Sequence, residues 1–204
     1  MSAGFPVIMA DPAWQFVTRS SKGKGRSPEQ HYDCMTLDEI KALPVASIAA
    51  DDAVLLLWAI DPLLEEAFKV GRAWGFTPKT VGFYWTKTGR GHRQHVGMGY
   101  WTRANPEQCL LMTRGKPKRV NADVQRWISA PRGKHSEKPH GIYSRVERLV
   151  AGPYVELFAR YARPGWSQWG NQVGKLGGTP SLVDLPGYPA RAAAPVNAPL
   201  FEAA

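Results

Sequence analysis

The chain has 204 residues, and its 26 lysines and arginines exceed its 17 acidic residues, which gives a formal net charge of +9. This length is sufficient for one α/β domain with a sizeable core, and the charge favours a polyanionic partner such as nucleic acid. The two cysteines, Cys34 and Cys109, lack the spacing of a disulfide framework, so a reduced, cytoplasmic environment is expected. The sequence contains no apolar run long enough to span a bilayer as a helix.

The first predicted elements are a strand, a loop and a short helix. The apolar run FPVIMA at 5–10 predicts a buried strand, and residues 11–35, rich in Gly, Ser, Lys and Arg, are typical of a functional loop. Thr36 and Glu39 have the spacing of a capping box at the start of a helix that Pro44 would end.

A second strand and helix follow, and then a third strand. The continuous apolar run AVLLLWAI at 53–60 is typical of a strand that is covered on both faces. Asp61 and Pro62 predict the start of a helix with Asp61 as its N-cap, and its apolar stripe continues to Gly75. The segment KTVGFYWTKT at 79–88 predicts the third strand.

The second half of the chain contains four further predicted segments. They are a Gly-rich, basic and aromatic loop (89–107), a buried strand (108–115), a helix (136–150) and a strand (154–160). Residues 1–176 are therefore predicted to form one domain. Residues 177–204, rich in Pro, Ala and Gly, are predicted to form a loosely ordered tail.

The alternation of strands and helices predicts a three-layer α/β domain with a mostly parallel sheet. Ligands of such sheets bind outside the carboxyl ends of the strands. The segments DPAW, WTKT and FARYARPGW are each predicted to leave the sheet at that edge, so a binding site is expected there.

The segment Asp-Pro-Ala-Trp at 11–14 carries groups that could bind the exocyclic amine of a nucleobase. Such an amine is a weak nucleophile, because its lone pair is delocalised into the ring. Asp11 and the carbonyl of Pro12 would accept hydrogen bonds from it, and Trp14 would stack on the extruded base. The alternative is a turn at Asp11 and Pro12, with Trp14 capping the core.

Six longer motifs accompany DPAW in register from about residue 6 to 173. They are PEQHYDCMTLDEIKALPV, LLLWAIDPLLEEAFKVGRAWGF, VGFYWTKT, GYWTRANPEQCLLMTRGKP, HSEKPHGIYSRVERL and VELFARYARPGWSQWGNQ. DPAW resembles the Asp-Pro-Pro-Trp motif of adenine-N6 methyltransferases. The whole set resembles the family of the seventy-kilodalton subunit of messenger-RNA adenosine methyltransferase, in its short bacterial and phage form. This resemblance implies a Rossmann-like methyltransferase fold and S-adenosylmethionine as the methyl donor.

The resemblance also implies roles for individual residues. The catalytic motif is matched by Asp11, Pro12 and Trp14, positions near the substrate adenosine by Tyr32 and Glu107, and cofactor-binding positions by Lys87, Glu156, Arg160, Asn171 and Gln172. A carboxylate at a strand end can accept hydrogen bonds from ribose hydroxyls, and a lysine or arginine can pair with the methionyl carboxylate. The structural alternatives are a solvated strand end at Lys87, a Glu156–Arg160 ion pair, and a polar turn at Asn171 and Gln172.

Two basic loops are predicted to contact the phosphates of a nucleic acid. Their cations are Lys22, Lys24 and Arg26 in SSKGKGR and Arg90 and Arg93 in GRGHRQH. The alternative is that both are ordinary solvated loops. His92 and His95 have H-x-x-H spacing, but without a cysteine pair or a predicted helix they do not predict a metal site.

Together these features predict an S-adenosylmethionine-dependent adenine-N6 methyltransferase that transfers the methyl group directly to the amine of a flipped adenine. DNA is the first substrate expected, because short bacterial and phage members of the resembling family usually act on DNA. One alternative is the same reaction on RNA. The other is a catalytically silent nucleic-acid-binding subunit, motivated by Ala13 in place of the second motif proline and by Ala162 and Arg163 at family ribose-contact positions. The choice between monomer and dimer stays open.

Overall fold

The computed structural model describes residues 4–15, 35–89, 97, 99, 101–133 and 137–191. Within these ranges the strands are β1 (Phe5–Ala10), β2 (Ala49–Ala59), β3 (Thr77–Thr88), β4 (Glu107–Arg114), β5 (Trp127–Pro131), β6 (Tyr154–Leu157) and β7 (Trp166–Trp169). The α-helices of the same ranges are α1 (Leu37–Ala42), α2 (Leu64–Ala73) and α3 (Gly141–Leu149).

The seven described strands form one sheet in the order β5-β3-β4-β2-β1-β6-β7. Strand β4 is antiparallel to both of its neighbours, β2 and β3, whereas the pairs β1–β2, β1–β6, β6–β7 and β3–β5 are parallel. Six strands therefore run in one direction, and their carboxyl ends meet at one edge together with the start of β4. The prediction of a mostly parallel sheet in an α/β domain is confirmed.

Helices cover both faces of the central strands, and the alternation of side chains along each strand divides the core in two. In β1, Ile8 belongs to the cluster that contains Ile40 of α1 and Val70 of α2. Its neighbour Val7 belongs to the cluster that contains Val146 of α3. Because β2 also carries buried apolar residues on both faces, it reads as a continuous apolar run, as strands in the middle of three layers do.

The sequence predicted the N-cap of helix α1 correctly but not that of helix α2. The capping box of α1 is present: the Thr36 hydroxyl accepts from the Glu39 N–H at 3.2 Å, and the Glu39 carboxylate accepts from the Thr36 N–H at 2.7 Å. The prediction that Asp61 caps α2 is wrong. Asp61 begins a 3-10 turn that precedes α2, and its carboxylate instead accepts a hydrogen bond from Gln108 Nε2 at 3.0 Å.

Part of the predicted tail is packed against the sheet. The Gln168 backbone of β7 pairs with Ser181 and Val183, and Trp169 donates its indole N–H to the Tyr188 carbonyl at 2.7 Å. Leu185 is 1 % exposed and belongs to the same core cluster as Trp169. Residues 177–191 therefore extend the folded domain, because they cover β7, the last strand of the sheet. Residues 192–204 lie outside the described part.

Candidate active site

Four alternating charges meet at the carboxyl edge of the sheet. Asp11 follows β1, Lys87 lies near the end of β3, Glu107 starts β4, and Lys138 precedes α3. Lys138 Nζ lies 2.6 Å from Asp11 Oδ2 and 3.6 Å from Glu107 Oε2, while Lys87 Nζ forms an ion pair with Glu107 Oε1. We call these four residues the charged cluster. The structure thus brings together three residues that the sequence predicted as site residues, and it adds a fourth.

Burial and pairing act in opposite directions on the two carboxylates of the charged cluster. Burial raises the pKa of Asp11 above its ordinary value, although Lys138 opposes the shift through its charge and its hydrogen bond. Burial also acts to raise the pKa of Glu107, but the charges of Lys138 and Lys87 outweigh it, so that pKa lies below its ordinary value. Glu107 is therefore anionic at neutral pH, whereas the ionisation of Asp11 depends on Lys138.

The sequence did not single out Lys138. Its side chain is 13 % exposed, and its ammonium lies 5.4 Å from the centre of the Trp58 ring, near the carboxyl end of β2. The indole N–H of Trp58 is buried without a hydrogen-bond partner among the described residues. The signal for Lys138 was its place after β5, since the segment that follows a parallel strand leaves the sheet at the site edge. The sequence did not predict β5, so the position of Lys138 at the site edge could not be inferred.

The structure supports only part of the predicted role of the DPAW segment. Trp14 is 4 % exposed, packs in the core beneath the site, and donates its indole N–H to the Trp58 carbonyl at 3.1 Å. In this arrangement its ring face is not available to a base, so the structure favours the alternative in which Trp14 caps the core. The Pro12 carbonyl already accepts the Trp14 backbone N–H at 2.8 Å, which leaves its second lone pair for a ligand.

Glu156 lies one strand away, on β6 beside β1, in a different electrostatic environment. It is 8 % exposed, and its Oε2 accepts a hydrogen bond from the Tyr143 hydroxyl of α3 at 2.9 Å. Burial raises the pKa of Glu156 to about 8, a shift that the Tyr143 hydrogen bond reduces and the Asp11 charge increases. The Glu156 carboxyl is thus mostly protonated at neutral pH.

The backbone after β6 is strained where the predicted cofactor residues begin. Phe158 has φ of +63°, a left-handed conformation that side chains disfavour. A Cβ added to Gly170, which follows β7, would lie 3.3 Å from the Phe158 and Ala159 backbone, so the two strand ends are closely packed. Left-handed residues other than glycine concentrate at functional sites, which agrees with a ligand at this edge.

The remaining predicted cofactor residues also lie at this edge. Arg160 follows β6, and its charge acts on the carboxylate of Asp11, lowering its pKa against the effect of burial. Asn171 and Gln172 follow β7, and Gln172 accepts a hydrogen bond from the Lys175 ammonium at 3.3 Å. The bond fits the polar-turn alternative as well as a binding role.

The two departures from the family pattern have structural partners. Ala162 is fully buried, and its N–H donates to the Gly177 carbonyl at 2.9 Å. Arg163 pairs with Glu147 at 3.2 Å and lies 5.0 Å from the centre of the Tyr143 ring. Ala162 therefore belongs to the small core cluster with Ala159 and Val173, and Arg163 packs beside the Tyr143 ring.

Several predicted substrate residues lie outside the described ranges. They are Tyr32, Lys22, Lys24, Arg26, Arg90 and Arg93. The described residues contain no group of three or more His, Cys, Asp or Glu side chains placed to hold a metal ion. None of the helices in these ranges is long and apolar enough to cross a membrane.

Comparisons with known proteins match nearly the whole described domain. The model of the MT-A70 family matches residues 5–172. The Type II methyltransferase M.MunI of a Mycoplasma species is 31% identical over 187 residues, covering 83% of this chain and 78% of that protein. An N(6)-adenosine-methyltransferase MT-A70-like protein of Arabidopsis thaliana is 30% identical over 177 residues, and the mouse N(6)-adenine-specific methyltransferase METTL4 is 29% identical over 193 residues. These two matches cover 83% and 84% of this chain but only 24% and 38% of the relatives.

Proposed function

We propose that this chain, which belongs to the MT-A70 family and is an adenine-N6 methyltransferase, uses S-adenosylmethionine to methylate adenine in DNA at the charged cluster. The observation that carries the proposal is the position of Asp11. Its carboxylate leaves the end of β1, is one-quarter exposed, and is held through Oδ2 by Lys138 at 2.6 Å. Its second oxygen remains to accept a hydrogen bond from an amine.

Asp11 and Pro12 would act on the amine by orientation. Two hydrogen-bond acceptors, the Asp11 carboxylate and the Pro12 carbonyl, favour the pyramidal form of the amine. In this form the lone pair is localised on the nitrogen and is no longer delocalised into the ring. Holding that lone pair in line with an electrophile removes much of the entropic barrier to a bimolecular reaction. After transfer the nitrogen carries a positive charge, which the Asp11 carboxylate stabilises before the proton leaves to Asp11 or to water.

The residues around Asp11 fit S-adenosylmethionine. When bound, this cofactor supplies a methyl group on a sulfonium, which accepts the electron pair of the broken carbon–sulfur bond. Glu156 has one carboxyl oxygen bonded to Tyr143 and a second that could accept from ribose hydroxyls. Lys87 and Lys138 are ammonium groups that could pair with the methionyl carboxylate, and the Trp58 indole offers a buried N–H without a partner in the described part of the chain.

The preference for DNA over RNA rests on the lengths of the relatives, and not on the site or the net charge. The relative whose length this chain largely spans is named a Type II methyltransferase, whereas the plant relative named for adenosine is about four times the length of the match. The net charge of +9 suits either nucleic acid. RNA is therefore the second candidate substrate, and only a direct comparison separates the two.

The test is transfer of labelled methyl from S-adenosylmethionine to unmethylated DNA and to RNA, followed by nucleoside analysis. We expect N6-methyladenine from DNA, lost by at least about 100-fold in Asp11→Asn, which keeps the shape but removes the charge. Asp61→Asn is the matched control, because this carboxylate also follows a strand at the same edge but bonds only to Gln108 among the described contacts.

Three different results would each overturn a specific part of the proposal. Label in RNA alone would overturn the DNA assignment and keep the chemistry. Transfer that persists in Asp11→Asn would overturn the role of Asp11. Nucleic-acid binding without cofactor binding or transfer would favour the silent subunit.

A further inference from the structure

We propose that Trp101 is a nucleic-acid contact residue that stacks on a base next to the target adenine. This inference rests on the proposed function, because it needs a nucleic acid at the carboxyl edge. Trp101 is 93 % exposed, which is the largest exposure of any large hydrophobic side chain among the described residues.

The backbone holds Trp101 in a conformation that its side chain disfavours. Its φ is +67°, in the left-handed region where a bulky residue is an outlier. Glycine would occupy this position without strain, and the sequence places a tryptophan there instead. Strain of this kind is retained where the surrounding structure fixes it and the side chain has a function.

The backbone on the two sides of Trp101 is packed against itself. The Gly97 N–H donates to the Ala104 carbonyl at 2.8 Å, and a Cβ added to Gly99 would collide with the Thr102 carbonyl oxygen and lie 2.8 Å from the Ala104 nitrogen. The backbone on either side of Trp101 is therefore in close contact, which only glycine at 99 permits.

A side-chain clamp joins this segment to the charged cluster. Asn105 accepts from the Lys87 N–H at 2.8 Å and donates to the Lys87 carbonyl at 3.3 Å. Asn105 lies four positions after Trp101 in the sequence, a span of at most about 14 Å. Because neighbouring bases of a strand lie about 3.4 Å apart along the axis, Trp101 is within range of bases beside one extruded into the site.

The charge of the segment favours a nucleic acid over an apolar protein partner. Between residues 89 and 106 the sequence has three arginines and no acidic residue. Arg103 is exposed two positions from Trp101. An aromatic face beside cations is the combination that single strands and unstacked bases bind, with the ring on a base and the cation on a phosphate.

The experiment measures binding and turnover separately for substitutions of Trp101. Fluorescence anisotropy with labelled mixed-sequence DNA, single-stranded and annealed, should show roughly tenfold weaker binding for Trp101→Leu, which keeps an apolar side chain without a ring, and a loss within about threefold for Trp101→Phe. In methylation assays on unmethylated genomic DNA, Trp101→Leu should show a raised KM for the DNA. The matched control is Trp127→Leu, since Trp127 is also exposed (62 %) but lies at the amino end of edge strand β5, opposite Tyr84 and away from the carboxyl ends of the strands.

A stability measurement separates function from folding. Trp101→Gly should bind as weakly as Trp101→Leu while its melting temperature stays within a few degrees of the wild type, because glycine relieves the left-handed strain at an exposed position. Unchanged DNA affinity in Trp101→Leu would overturn the proposal. So would a wild-type dimer that Trp101→Leu converts to a monomer, since the ring would then belong to a protein interface. The binding assay gives its answer even if the wild type methylates no DNA, so failure of the proposed function is distinguishable.

Discussion

The charged cluster and the Glu156–Tyr143 pair are two neighbouring acidic sites in which the carboxylates have different partners. The energetic cost of burying a carboxylate is therefore offset in different ways. In the charged cluster, two ammonium groups balance two carboxylates, and the pKa of Glu107 falls below its ordinary value. At Glu156 a hydroxyl is the hydrogen-bond partner, and burial raises the pKa to about 8. The difference indicates that the ammonium groups keep Glu107 ionised, whereas Glu156 holds a proton at neutral pH.

The two sites are also coupled. The charge of Asp11 acts to raise the pKa of Glu156, and the charge of Lys138 acts to lower it. Lys138 therefore affects both the group that would contact the amine and the group that would contact the cofactor. Removing it should disturb both sites, whereas a change at Tyr143 should be confined to one.

The largest effect is expected from Lys138→Met, which removes the cation and keeps a similar apolar length. Asp11 would lose the partner that opposes the effect of burial, so its pKa would rise further and less of it would be ionised at neutral pH. We expect kcat to fall by about 100-fold at pH 7, with the acidic limb of the pH–rate profile displaced to higher pH.

Lys138→Arg is the control for this experiment, because it keeps the charge beside Asp11. Its pH profile should stay near that of the wild type even if turnover falls. A Lys138→Met enzyme with reduced kcat but an unmoved acidic limb would show that Lys138 acts by contact with a ligand and not through the ionisation of Asp11.

An intermediate effect is expected from Glu156→Gln on cofactor affinity. Hydrogen bonds from ribose hydroxyls favour the ionised carboxylate, so wild-type affinity for S-adenosylmethionine should increase as the pH rises from 6 towards 8. The increase should reach at most about tenfold per pH unit. Titration calorimetry should show that this rise of affinity with pH is absent in Glu156→Gln, which should also bind S-adenosylmethionine more weakly than the wild type at pH 8. Equal pH dependence in both proteins would separate Glu156 from the cofactor.

Tyr143→Phe sharpens the same measurement. The Tyr143 hydroxyl lowers the pKa of Glu156 by donating to its carboxylate, so its removal should raise that pKa above about 8. The rise of affinity with pH should then occur at higher pH than in the wild type. An unshifted rise would mean that Tyr143 does not determine the ionisation of Glu156.

Sequence patterns located the charged cluster better than they located its neighbours, for physical reasons. Asp11 and Lys87 each lie at the end of a predicted strand, so their shared edge followed from the direction of the strands, whereas Glu107 at the start of antiparallel β4 was supplied by the family resemblance. Strand β5 was missed because it is short and on the edge, with Trp127 exposed, and Lys138 was missed with it. The role of Trp14 depended on a contact 44 residues away, with the Trp58 carbonyl, which no local pattern contains.

The last strand was missed for a related reason. In β7 the fully buried Gln168 interrupts the apolar pattern, and its amide is satisfied by the Arg163 carbonyl and the Ser181 N–H. Those partners belong to a turn and to the predicted tail, so neither the strand nor the cover over it could be recognised from composition. The family resemblance supplied Glu156 and the residues after β7, which patterning alone did not distinguish.

The last contrast between the two sites concerns the pH dependence of folding stability. Because the folded-state pKa of Glu156 lies near 8, above its ordinary value of 4.5, the folded protein holds a proton that the unfolded chain releases. This contribution to the free energy of unfolding is complete below about pH 4.5 and is lost as the pH rises to 8, by at most about 1.4 kcal/mol per unit. Urea unfolding at a series of pH values should therefore show the wild type losing stability relative to Glu156→Gln between pH 5 and 8. Curves that stay parallel would mean that Glu156 is already ionised in the folded protein, and the contrast with the charged cluster would disappear.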